Sequence, residues 1–284
     1  MVPELRPRGI GEMLDVAVAI YRASARRLVL VALLVEVPVQ LLMTIVLLSA
    51  QPQSFNVNIA GSASPTFENQ STQLAAALVV LLVSVLSTAF VLAVCTRIVA
   101  DAYVGLAGGG PADAARGAAG RIFAVIGLAL LLALSQAAGL VLCLVGAAVP
   151  LALFAVAMPV LILEGAGVFA ALGRSVTLTK SHFFRVLGLV LCAQLLTAVL
   201  NIGLTLAVAA AMRNSGNATA GVISQGIANT VVAVLTTPFL AAAIVACYFD
   251  LRIRNEAFDV QLLMQRNDAR HAATRTPVQS AALR

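Results

Sequence analysis

From Ile122 to Leu163 the chain runs for 42 residues without one charged side chain. A helix crosses a hydrocarbon core about 30 Å thick in roughly 20 apolar residues, so a run of this length enters a membrane, turns and returns. The turn falls between Gly139 and Pro150, giving spans over about 122–142 and 146–163. Four further apolar runs, about 28–48, 74–99, 186–211 and 222–249, bring the crossings to six. The strand-length alternation of an outer-membrane barrel is absent, so the backbone must satisfy itself within helices. The expected fold class is all-α: a polytopic membrane helix bundle of six transmembrane helices, one membrane domain over residues 1–266. Hydrophobic residues make up 61% and charged residues 11%, against about 45–50% and about 25% in soluble domains.

Basic residues decide the threading. Of the 18 Lys and Arg, 17 fall on one side once six spans are drawn, and Arg213, in the short segment 213–219, is the exception. That asymmetry predicts N- and C-termini in the cytoplasm and a multi-pass protein of the cell (inner) membrane. The 17 Arg to one Lys, Lys180, and the abundant alanine suggest a bacterial, GC-rich origin. A pI near 9.8 then reflects orientation and attraction to anionic headgroups rather than nucleic acid. Leu48-Ser49-Ala50 resembles a signal-cleavage site, but the run before it is longer than an h-region of about 7–15 residues and holds Glu36 and Pro38. It reads as a retained first span. Cys95, Cys143, Cys192 and Cys247 lie in apolar runs without close Cys or His partners, as packing residues do.

Amphipathic patterns over about 10–26 and 167–182 predict cytoplasmic interfacial helices. Residues 51–72, with no Lys or Arg, form the expected outer loop, and 267–284 a disordered tail. Gly108-Gly109-Gly110-Pro111 lacks the Gly-Lys-Ser/Thr and preceding strand of a phosphate loop and reads as a flexible connector. Arg22 and Arg27, Arg116 and Arg121, and Lys180 and Arg185 are basic pairs five apart, each opening an odd-numbered span. Three repeated hairpin units would produce this pattern. So would any inner segment that must carry charge ahead of a span.

Polar side chains inside the spans carry whatever chemistry the chain holds, because they are costly in lipid unless they face protein or water. Glu36, Gln40 and Thr44 stand four apart on span one; Gln194, Thr197, Asn201 and Thr205 form a stripe on span five; Gln225, Asn229 and Thr236 lie on span six. Ser84 and Thr88 on span two and Gln136 on span three complete the set. Interhelical hydrogen bonding, worth roughly 0.6 kcal/mol per contact, is the expected use; a polar cavity for a headgroup or small solute is the alternative. Glu36 is the sharpest position, on the order of 12 Å below the inner interface at about 1.5 Å per residue. A carboxylate there suggests a proton or cation site, or the partner of an inward-reaching Arg. There is no Gly-x-Ser-x-Gly, no His-Glu-x-x-His and no Walker sequence, and His182 and His271 are the only histidines. Neither catalysis nor a cofactor is expected.

Three segments carry a family resemblance: Arg6-Pro7-Arg8-Gly9-Ile10-Gly11-Glu12-Met13-Leu14-Asp15 at the start, Glu164-Gly165 leading to Ala171-Leu172-Gly173-Arg174-Ser175, and Tyr248-Phe249-Asp250-Leu251-Arg252-Ile253-Arg254-Asn255-Glu256-Ala257-Phe258-Asp259. Together they resemble an actinobacterial integral membrane protein family related to the membrane domain found ahead of some glycerophosphodiester phosphodiesterases. The resemblance covers nearly the whole chain, and the closing segment is its most specific part. It carries over no catalytic residue, since the phosphodiesterase barrel and its metal-binding carboxylates have no counterpart in these residues. The matching positions cluster at the cytoplasmic interface, which implies a face that organises the fold or docks a partner. Glu164 with Arg174, and Asp250 with Arg252, are the ion pairs expected there. The expected function is a non-enzymatic scaffold or lipid-interacting module whose partners are anionic headgroups and a cytoplasmic protein. A small transporter or lipid-translocating protein built around Glu36 is the other candidate.

Overall fold

The computed structural model describes residues 9–49, 68–104, 110–142, 144–212 and 218–256. Their regular elements are α1 (Ile10–Ser49), α2 (Glu68–Val104), α3 (Pro111–Ala119), α4 (Ile122–Leu142), α5 (Leu144–Leu153), α6 (Ala157–Pro159), α7 (Val168–Thr179), α8 (Phe183–Met212) and α9 (Ala218–Glu256). A π-helical turn, Val160–Glu164, follows α6, and a 3-10 turn, Lys180–His182, joins α7 to α8. Six stretches are long and apolar enough to cross a membrane. The chain is a multi-pass, all-α membrane bundle, with no strand among the described residues. Most of the predicted outer loop, residues 51–67, lies outside the described residues, as do Arg213, Cys143 and the tail; residues 68–72 already belong to α2.

Consecutive spans pair as hairpins: α1 with α2, α4 with α5, and α8 with α9. The largest interface, however, joins the first and last spans. Helix α9 threads the middle of the bundle against α1, α2 and α8, and every residue from Ala241 to Leu251 is buried. Small side chains allow this, since Ala241, Ala242 and Ala243 bring the α9 backbone close to its neighbours. Gly226 does the same farther along, where an added Cβ would stand 2.6 Å from Thr44 Oγ1. At the tip of the second hairpin a Cβ on Gly139 would meet the Ala147 backbone at 2.8 Å.

Residues 10–26 depart from expectation. They are the first turns of α1 and continue without a break into the first span, rather than forming a separate interfacial helix. Met13, Ala17 and Ile20 are buried at helical spacing, and the stripe runs on through Leu28, Val31 and Ala32, so no register change separates the two segments. Forty residues at about 1.5 Å each make a helix about 60 Å long, which exceeds a bilayer and carries the charged end of α1 beyond the hydrocarbon. The second predicted amphipathic segment does become a separate element, α7, whose buried face is Ala171, Ser175, Leu178 and Thr179. The glycine connector leads into an unpredicted helix, α3, with Gly110 at its N-cap and Pro111 at its first position.

The fourth span is broken. Pro159 has no N–H for the Ala155 carbonyl, and its ring crowds the preceding turn. The ladder shifts to tighter bonds, Ala155 N to Ala152 O at 3.4 Å and Ala157 N to Phe154 O at 3.0 Å. That shift takes from Leu153 O the N–H that Ala157 would donate in a continuous helix. A hydroxyl of α7 replaces it: Ser175 Oγ donates to Leu153 O at 2.7 Å, while Thr179 Oγ1, 3.2 Å from the same carbonyl, lies closer to Ser175 O at 2.8 Å. Breaks of this kind survive in membranes only where protein re-satisfies the freed backbone.

Candidate functional site

Charged side chains gather at one end of the bundle, where the end of the broken span, α7 and the last turns of α9 meet. Four of them close a ring with the Tyr248 hydroxyl. Tyr248 OH donates to Glu164 Oε1 at 2.8 Å, and Glu164 Oε2 lies 3.4 Å from Arg174 Nε. Arg174 Nη2 donates to Glu256 Oε1. Glu256 Oε2 accepts from Arg252 Nε at 3.1 Å, and Arg252 Nη1 returns to Tyr248 OH at 3.3 Å. Two carboxylates balance two guanidiniums, so the ring is neutral and each carboxylate uses both oxygens. Charge-assisted bonds in a closed network gain from shared geometry what a lone surface pair does not.

Glu164 and Arg174 pair as the sequence suggested. Asp250 and Arg252 do not face each other: residues two apart on a helix point to different sides, whereas those four apart share one. Arg252 therefore bonds Glu256, and Asp250 bonds Arg254 at 2.8 Å. Asp250 is 3% exposed and also faces Arg185 Nη1 at 3.7 Å across from α8. Asn255 completes the seam, donating to Leu178 O at 3.0 Å at the end of α7. Tyr103 stacks on Phe249, centroids 4.6 Å apart, and ties α2 to the same region.

Arg121 does a separate job. The π-helical turn ends at Gly165, whose φ of +73° is a left-handed conformation that glycine adopts without a Cβ clash. The carbonyls left over at that end accept from one guanidinium, since Arg121 reaches Leu161 O, Gly165 O and Ala166 O. A cation at a helix C-terminus also opposes the negative end of its dipole.

Beside Arg121 opens a cleft of about 420 Å³ lined by Arg97, Asp101, Asp113, Arg116 and Arg121, with the bare backbone of Gly117 and Gly120 between them. Arg97 lies 3.8 Å from Asp101, and Arg116 lies 3.2 Å from Asp113, whose other oxygen accepts from Gly110 N at 3.0 Å to cap α3. Three guanidiniums thus face two carboxylates.

The intramembrane polar residues separate into groups. Gln40, Thr44, Ser84, Gln225 and Asn229 line one cleft of about 350 Å³ between α1, α2 and α9, far from the charged ring. Gln225 Nε2 there donates to Asn229 Oδ1 at 3.0 Å and to Thr205 Oγ1 at 3.2 Å. Gln136 and Gln194 line a different cleft, between α4, the broken span and α8. Asn201 is half-buried and lines neither. Glu36 is 2% exposed, its Oε1 has no hydrogen-bond partner, and it lines neither cleft. The stripes do not converge on one axial pathway.

Sequence reasoning missed Arg121 as a carbonyl cap, and Tyr248, Glu256 and Arg185 as ionic partners. The first and last stood among the basic pairs, and the other two in the closing segment, so position was visible and partnership was not. Among the described residues no three of His, Cys, Asp and Glu gather closely enough to hold a metal ion. No family model matches the chain, and no curated protein and no solved structure matches it.

Proposed function

We propose that this is a non-enzymatic, multi-pass protein of a bacterial cell membrane, with both termini cytoplasmic, whose charged end is a lipid-interacting collar. The observation that carries this function is a set of aromatics that, among the described residues, are exposed at that end alone. Phe123, Phe169 and Phe184 open α4, α7 and α8 and are 87%, 79% and 83% exposed; Phe123 stands two residues from Arg121, and Phe184 lies between Lys180 and Arg185. Large apolar rings next to basic side chains suit the boundary between acyl chains and headgroups, where anionic lipid favours Lys and Arg. The resemblance noted in the sequence belongs to the same proposal, since Glu164, Arg174, Tyr248, Arg252 and Glu256, which form the ionic ring at that end, all lie in its matching segments.

Native mass spectrometry after mild detergent extraction tests it. Retention of anionic phospholipid in preference to phosphatidylcholine is the expected result, and equal retention of both excludes a lipid-specific collar. Transport through the membrane is the second candidate, favoured by the cleft around Gln40, Ser84, Gln225 and Asn229. Its signature would be solute or lipid movement in vesicles that Gln225→Leu abolishes without loss of folded protein.

A further inference from the structure

We infer that the cleft lined by Arg97, Arg116 and Arg121 is a discrete binding site for the phosphate of an anionic phospholipid, an assignment that rests on the lipid-interacting function proposed above. Its volume of about 420 Å³ falls within the range of small-molecule sites, about 300–1,000 Å³. It is charged, unlike the clefts between the far halves of the spans, and its charge is one positive in excess. The internal pairs are replaceable. Arg97 meets Asp101 at the long distance of 3.8 Å, and the side chain of Arg116 is 82% exposed. A phosphate accepts in a bidentate manner from a guanidinium, so it competes well with one distant carboxylate oxygen.

Two other features favour the same anion. Helix α4 begins at this cleft, and its 21 residues direct the positive end of a dipole toward Gly120 and Arg121. Arg121 is held by three carbonyls from the broken span, so one guanidinium of the site is positioned before any ligand arrives. Lipid rather than soluble phosphate is the source because Phe123, two residues beyond Arg121, projects an exposed ring at this level. A lipid bound here keeps its acyl chains in the hydrocarbon beside α4 while its phosphate enters the cleft.

The test uses the full chain in phosphatidylcholine nanodiscs doped with phosphatidylglycerol, and counts retained anionic lipid. R97Q/R116Q is expected to weaken retention about tenfold, the loss of roughly 1.4 kcal/mol from charge-assisted bonds. D101N, which removes a competing carboxylate, is expected to strengthen it about threefold. R26Q/R27Q removes as much charge from α1 outside the cleft and should change retention less than twofold. Equal losses in R97Q/R116Q and R26Q/R27Q would show a diffuse surface charge and overturn the site. Displacement of the lipid by millimolar inorganic phosphate would overturn the lipid assignment. Wild type that shows no preference for phosphatidylglycerol refutes the collar as a whole, whereas a preference untouched by R97Q/R116Q refutes this site alone.

Discussion

The two ends of the bundle are built differently. From Ala241 to Leu251, α9 is buried at every position, but from Thr219 to Val231 only Ala228 is. Helix α8 repeats the contrast, with Val186, Leu189, Val190 and Ala193 buried at the charged end and no residue buried from Gln194 to Ala211. Helix α2 is buried at most positions from Ser87 to Tyr103, whereas none of its described residues from Leu74 to Leu86 is. In lipid, apolar side chains gain little by leaving acyl chains for one another, so helices associate through close packing and polar bonds. At the charged end the helices outrun the hydrocarbon, and burying Met13, Ala17, Ile20, Ala114 and Ala118 removes them from water. That end also holds the ionic ring. Where water and charge are both at hand the spans bury many of their residues against one another, and elsewhere few residues are buried.

The sharpest way to break this contrast is Asp250→Asn. It leaves Arg185 and Arg254, whose side chains are 30% and 22% exposed, facing a neutral group, and losing a charged hydrogen-bond partner costs up to about 3 kcal/mol. Thermal unfolding in detergent should show a large drop; an unchanged midpoint would mean that the charged end does not anchor stability. Arg121→Gln is next. Three carbonyls lose a charged donor, a cost of about 2–3 kcal/mol, and hydrogen exchange should rise over residues 160–168 while α1 and α9 stay protected. Uniform exchange would erase the distinction between the broken span and the rest.

Glu36→Leu moves stability the other way. An unpartnered buried carboxyl oxygen is penalised, so its replacement should stabilise the folded protein by about 1–2 kcal/mol. A loss of stability instead would reveal a partner that Glu36 serves, and would reopen the transport candidate. The smallest effect belongs to the open end. Gly226→Ala puts a methyl against Thr44 Oγ1 and should cost about 1 kcal/mol, recovered in the double variant with Thr44→Ala. Failure of that rescue would place the strain in backbone rather than in the α1–α9 contact.

The six crossings were legible because hydrophobicity along a helix is a local property, and α4 and the broken span lie where the uncharged run required. Glu164 with Arg174 was legible as well, through shared resemblance rather than through geometry. The single helix Ile10–Ser49 was not, because polar residues at 12, 15, 22 and 26 look like a surface face until α9 supplies the opposite wall. The intramembrane stripes misled in a similar way. Periodicity shows that Gln40, Gln136, Asn201 and Gln225 share faces with other polar residues of their own helices, yet it is silent on which helices adjoin.

By itself the sequence determined the class of structure and the number of its crossings, since a long uncharged segment has no other stable place than the hydrocarbon. It also determined that basic residues gather beside the spans. Only the tertiary structure decided which carboxylates they meet: Asp250 turns to Arg254 and Arg185, Glu164 to Arg174 and Tyr248, and Arg121 to three carbonyls some forty residues away. Ion pairs form over a few ångströms, and distance between segments remote along the chain is set by packing, which no local pattern encodes.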